Sequence, residues 1–93
     1  MAENPSPEKM HEARFLGLVQ MLSTWAMSAL GKIADPETGK ERDVDLDEAR
    51  GMIDLLDTLQ VKTKGNLSED ERRYLELQLT NLRLTYVDES KKK

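Results

Sequence analysis

The acidic stretch DVDLD, residues 43–47, resembles the opening of a calcium-binding loop, with Asp54 at the twelfth position. Such a loop supplies oxygen ligands at alternate positions, and it also needs Gly at its sixth position and an apolar residue at its eighth. The sequence has Glu48 and Arg50 at these two positions. The same acids fit the start of a helix, where negative charge is favourable. We therefore predict a helix start here and no metal site.

The turn TKGNL, residues 63–67, could bind an anion, because backbone N–H groups at the start of a following helix point outward. A helix end followed by a helix start explains every residue except Thr63, and we favour that interpretation. His11 is the one histidine, and no nucleophile or ligand cluster lies near it. No triad, P-loop or dinucleotide pattern is present. The sequence predicts no enzyme and no cofactor.

The charge balance argues against nucleic acid and membrane surfaces as partners. The net charge is -4, and the only basic run is residues 91–93, which we interpret as a solvated tail. Cysteine is absent, so disulfides are excluded. A chain of 93 residues forms one domain, and so small a core is marginal without help. We expect a second subunit to provide that help.

An uncharged run, FLGLVQMLSTWAMSALG, covers residues 15–31 of a chain in which 34% of residues are charged. As a helix it would span about 25 Å, short of the roughly 30 Å hydrocarbon layer of a bilayer. It also contains polar side chains such as Gln20 and Ser23. Acidic residues balance the positive charges before it, whereas a signal peptide begins with a net positive charge. We predict a buried helix and no membrane segment.

Helix signals divide the rest of the chain. Ser6 and Pro7 could begin the first helix, and capping boxes at residues 45–48 and 68–71 begin two more, with Gly65 closing the second. We predict an all-α fold, a three-helix antiparallel arrangement with a long first loop, completed by homo-oligomerisation. The predicted helices cover residues 10–31, 45–63 and 68–87. Residues 1–9 form a disordered tail, 10–88 a single helical domain and 89–93 a basic C-terminal tail.

Apolar side chains cover more of these helices than one small core can bury. On the first helix the predicted inward face consists of Phe15, Leu18, Val19, Leu22, Trp25, Ala26, Ala29, Leu30 and Ile33, and the opposite side is neutral rather than charged. On the third helix Leu75, Leu79, Leu82 and Tyr86 point inward, while Leu77 and Leu84 lie opposite them. We therefore predict self-association, most simply as a two-fold dimer. The candidate contact residues are Gly17, Met21, Thr24, Trp25, Ser28, Leu77 and Leu84.

Several stretches resemble a known family. They are PETG at 36–39, VDL at 44–46, IDLL at 53–56, KTKGNL at 62–67 and LRLTYV at 82–87. Together they are similar to a bacterial family, domain of unknown function 1844, over residues 15–88. The resemblance implies a small cytoplasmic bacterial protein, expected to be helical, and transfers no catalytic residue. It directs attention to a candidate polar surface of Lys62, Lys64, Asn66, Arg83 and Tyr86.

Three functions compete at this point. The first is a homo-oligomeric interaction or scaffold module that also docks on a further protein partner. The second is an RNA- or ribosome-associated factor, which would use Lys62, Lys64, Arg72, Arg73 and Arg83 as a basic surface. The low aromatic content and the acidic total disfavour it. The third is a small-ligand binder with a pocket between subunits, which no group of residues supports.

Overall fold

A computed structural model describes residues 6–92 and shows three helices: α1 (Pro7–Ala29), α2 (Leu46–Thr63) and α3 (Glu69–Lys91). No strand occurs within this range, which confirms the all-α prediction. The backbone N–H of Asp45 donates to the carbonyl of Ala29 at 2.7 Å, so α2 begins where α1 ends. Ser68, just before α3, donates from its hydroxyl to Glu12 near the start of α1 at 2.9 Å. Each helix therefore runs antiparallel to the one before it.

Both outer ends of the helical region extend beyond their predicted bounds. The Ser6 hydroxyl accepts from the Lys9 N–H at 3.2 Å and Pro7 occupies the first turn, so residues 7–9 are helical and not part of a tail. At the other end α3 continues to Lys91, so residues 89–91 are also helical. The remaining tail predictions, for residues 1–5 and 93, lie outside the described residues.

Of the two predicted capping boxes, one forms completely and the other only in part. Ser68 and Glu71 form the complete box: the Glu71 N–H donates to the Ser68 hydroxyl at 3.2 Å, and the Ser68 N–H donates to Glu71 Oε1 at 2.7 Å. At α2 only half of the box forms. Asp45 accepts from the Glu48 N–H at 3.0 Å, but the Glu48 carboxylate lies 2.7 Å from Arg42 instead of returning to the cap. The ion pair with the preceding segment replaces the second capping bond.

The core lies where all three helices meet, and each contributes side chains at helical spacing. Its buried members are Val19, Ala26, Ala29 and Leu30 from the end of α1 and its inner face, Ala49, Ile53 and Leu56 from α2, and Leu75, Leu79 and Leu82 from α3. The inward positions predicted on α3 are therefore confirmed at Leu75, Leu79 and Leu82. A fully buried Leu contributes about 1.5–3 kcal/mol.

The predicted inner and outer sides of the first helix need correction at three positions. Leu18 and Ile33 were expected inside, yet 39% and 43% of their surface is exposed. Ser28 was expected on the outer side and is fully buried. The segment after α1 turns sharply at Gly31, where φ is +75° and Val44 approaches so closely that a Cβ would lie 2.9 Å from it. We attribute the burial of Ser28 to this returning segment, which encloses the last turn of α1.

Candidate functional site

The first exposed surface is the outer side of α1, here called the α1 face: Gly17, Leu18, Met21, Thr24 and Trp25. Met21 is 52% exposed, whereas Thr24 and Trp25 are half-buried. A Cβ added to Gly17 would meet no atom within 4 Å, so this part of the helix is open. None of these five residues is charged, and the nearest charged residue on this side of the helix is the exposed Arg14, one turn before Gly17.

The second exposed surface is the outer side of α3, here called the α3 face. At 100° per residue its members fall within a sector of about 100°. Leu77 and Leu84 are 54% and 63% exposed, which leaves two large aliphatic side chains in solvent. The α3 face consists of Asp70, Arg73, Leu77, Thr80, Asn81, Leu84, Asp88 and Lys91, all of them exposed. It therefore has an apolar centre with charges at both ends.

The predicted self-association residues divide between these two faces and the interior. Gly17 and Met21 are exposed on α1, and Leu77 and Leu84 are exposed on α3. Ser28 is enclosed within the chain, and its hydroxyl has no hydrogen-bond partner among the described residues. It cannot contribute to a surface of this structure. The candidate contact on α1 consequently contains fewer residues than the sequence indicated.

The candidate polar surface does not form one site. Lys62, Lys64 and Asn66 are exposed around the turn between α2 and α3. Arg83 and Tyr86 lie about 22 Å further along α3, where they line a shallow depression of about 190 Å³ between α2 and α3. Tyr86 is half-buried against the core. The five residues matched by the family pattern therefore lie at two separate places on the surface.

Carboxylates pair with all three arginines proposed for an RNA surface. Arg72 lies 2.6 Å from Glu69 and 2.9 Å from Glu76, and Arg73 lies 3.1 Å from Glu69. Arg83 lies 2.8 Å from Asp57. The hydrogen bond from Arg72, reinforced by its charge, lowers the pKa of Glu69, so this carboxylate stays ionised beside the arginines. These pairs reduce the positive potential that a phosphate backbone requires.

The turn between α2 and α3 has the geometry of a helix end. Gly65 takes a left-handed conformation with φ of +86°, and the Asn66 N–H donates to the Thr63 carbonyl at 2.8 Å. Beside this turn a cleft of about 480 Å³ is lined in part by Val61, Lys64 and Leu67. The helix end and the helix start predicted for the TKGNL stretch are therefore both present.

The acidic stretch before α2 serves the helix start. Asp45 caps α2, and Arg42 lies 2.7 Å from Glu48 and 4.0 Å from Asp45. Within residues 6–92 no group of three or more His, Asp or Glu side chains could hold a metal ion. Over the same range, no helix is both long enough and apolar enough to cross a bilayer.

Sequence reasoning missed two features of α3. Glu89 was assigned to the basic C-terminal tail, yet it is buried, with Lys92 Nζ at 2.7 Å and Lys32 Nζ at 2.9 Å from its Oε2. The hydrogen bonds from Lys92 and Lys32 lower the pKa of Glu89. The second feature is the set of charges that flank Leu77 and Leu84. Their spacing along one side of a helix was the available signal.

Comparison with known proteins adds one match. The family model described as domain of unknown function (DUF1844) matches residues 12–89. No curated protein and no solved structure matches the chain. Because the family match covers most of the 93 residues, the protein belongs to the family described as domain of unknown function (DUF1844).

Proposed function

We propose that this protein is a helical interaction module that works by associating with copies of itself, most simply as a dimer. The observation that carries the proposal is its exposed surface. Among the described residues ten large apolar side chains are exposed, as many as the apolar residues that are buried in the core.

The exposed apolar side chains support the same proposal. Scattered surface leucines are ordinary in monomers. Here, however, Leu18 and Met21 share one helix face and Leu77 and Leu84 share another. Contact between copies would bury both of these faces.

The wider role follows from the same surfaces. An assembly with two exposed helix faces can use one for self-association and present the other to a further protein partner, as a scaffold does. The family resemblance is the ground for placing this role in the bacterial cytoplasm. The RNA-associated alternative has weaker support, because Arg72, Arg73 and Arg83 are paired with carboxylates.

The molar mass in solution tests the proposal. Light scattering on the full chain at tens of micromolar should give at least twice the monomer mass of 10.6 kDa. A double variant, Leu77→Glu with Met21→Glu, places a charge on each exposed face and should reduce the mass to that of the monomer. A wild-type protein that remains at 10.6 kDa across this concentration range would overturn the proposal.

A further inference from the structure

We infer that the α3 face is self-complementary, so that two copies of the chain pair through antiparallel α3 helices about a two-fold axis between Thr80 and Asn81. The inference rests on the proposed self-association and adds its surface, orientation and register. In such a pair a residue that precedes the axis in one copy lies opposite a residue of the other copy that follows the axis by the same distance along the helix.

The apolar centre of the face satisfies this symmetry. Leu77 and Leu84 are equally distant from the axis, so Leu77 of each copy lies against Leu84 of the other. Thr80 lies opposite Asn81, and the hydroxyl and amide can each donate and accept a hydrogen bond. Four exposed leucines, two from each copy, thus surround a small polar centre.

The charges satisfy the same symmetry. Arg73 of one copy lies opposite Asp88 of the other, and Asp70 of one copy lies opposite Lys91 of the other. Each end of the contact therefore contains two pairs of opposite charges. Among the described residues Asp70, Asp88 and Lys91 form no ion pair within the chain, and Arg73 forms only the exposed pair with Glu69. These groups are therefore available to a second copy.

The charges on the α3 face also specify how the two helices are oriented relative to each other. In a parallel, in-register pair every residue meets its own copy, so Arg73 would face Arg73 and Asp88 would face Asp88. Like charges held together across a contact are unfavourable. The antiparallel arrangement converts all of these repulsions into attractions. Its length from Asp70 to Lys91 is about 32 Å, which is nearly the whole of α3.

The α3 helix can present this face without rearrangement. Its opposite side holds Leu75, Leu79 and Leu82 in the core, so the backbone is fixed from within. The complete capping box at Ser68 holds one end, and the contacts of Glu89 with Lys32 and Lys92 hold the other. The α3 face is therefore a rigid surface, which keeps the entropic cost of association low.

A charge exchange tests the pairing. Arg73→Asp and Asp88→Arg each place like charges opposite one another, and we expect each to raise the dimer dissociation constant about tenfold or more in sedimentation velocity. The double variant restores opposite charges and should return to within about threefold of the wild type. Arg50→Asp and Asp54→Arg, on the exposed side of α2, are the matched controls and should leave the constant unchanged.

The outcomes separate this inference from the proposed function. A wild-type protein that is monomeric overturns the proposed function and with it this inference. A wild-type dimer that is unaffected by the two single variants, or that the double variant fails to restore, overturns the α3 pairing and leaves self-association intact. Circular dichroism of each variant shows whether its helices remain folded.

Disulfide trapping gives a second, independent measurement, because the chain has no cysteine of its own. Thr80→Cys places one thiol beside the axis in each copy, and mild oxidation should give a covalent dimer. Thr58→Cys on the exposed side of α2 is the control, and Met21→Cys reports on the α1 face. Faster cross-linking at residue 21 or 58 than at residue 80 would overturn the assignment of the α3 face.

Discussion

The α1 face and the α3 face are both exposed and both carry large apolar side chains, but they differ in charge. The α1 face belongs to the uncharged run of residues 15–31, so no charged group borders Met21 within that helix segment. The α3 face encloses Leu77 and Leu84 between acidic and basic residues at both ends. Apolar area alone favours association without fixing direction. The charges on α3 determine which orientation of a partner is favourable.

The difference also concerns how well each surface is defined. On α1, Thr24 and Trp25 are half-buried and Ser28 is enclosed, so the exposed apolar strip is short. On α3 the exposed strip extends along most of the helix. Seen from the sequence, the α1 run is the more conspicuous feature. The structure makes α3 the better candidate for a specific contact.

The largest expected effect tests whether the inner and outer sides of α3 are assigned correctly. Leu79 is fully buried and Leu77 is exposed, and both are leucines on one helix. Leu79→Ala should lower the free energy of unfolding by about 2–5 kcal/mol, because it leaves a cavity in a packed core. Leu77→Ala should change monomer stability far less and weaken association instead. Urea denaturation measures the first quantity, and equal losses for both variants would contradict the assignment.

The next effect compares the two faces directly. Leu84→Glu should raise the dissociation constant of the dimer at least about tenfold, because an unpaired carboxylate would be buried at the contact. Met21→Glu makes an equivalent change on the α1 face and should leave the dimer intact. Light scattering across a dilution series measures both. If Met21→Glu dissociates the assembly and Leu84→Glu does not, the α1 face is the contact.

The smallest effect concerns Glu89, which holds the last turn of α3 and with it Asp88 and Lys91. Since its pKa is lowered in the folded chain by Lys92 and Lys32, its contribution to stability is present at neutral pH. That contribution is lost as the pH falls below the ordinary carboxyl range of about 4.3 toward the lowered pKa. Glu89→Gln should therefore melt at a lower temperature than the wild type at pH 7, and the difference should shrink in acid.

Thermal denaturation followed by circular dichroism checks this dependence. Glu41→Gln is the control, because Glu41 is exposed and forms no ion pair among the described residues. A difference between wild type and Glu89→Gln that stays constant as the pH falls well below the carboxyl range would show that the Glu89 charge is not its cause. A fall in dimer affinity in the same variant would link the last turn of α3 to the contact.

The sequence by itself determined the helices, because their start and stop signals are local. A cap such as Ser68 acts on a residue three positions away, and the left-handed turn at Gly65 needs no distant partner. The inward stripe of α3 also follows from the sequence, since a helix repeats its faces every 3.6 residues. The leucines that do not fit inside, Leu77 and Leu84, could be identified in the same way.

Only the tertiary structure decided which other polar and apolar groups are covered. Ser28 is fully buried near the sharp turn at Gly31, where Val44 approaches, and Glu89 is held by Lys32, which is 57 positions away in the chain. Helical periodicity describes one element at a time and contains no information about what packs against its sides. The spacing of the charged residues of α3 in the sequence already places them on one side of a helix. They became a candidate contact only once the core fixed which side of the helix faces outward.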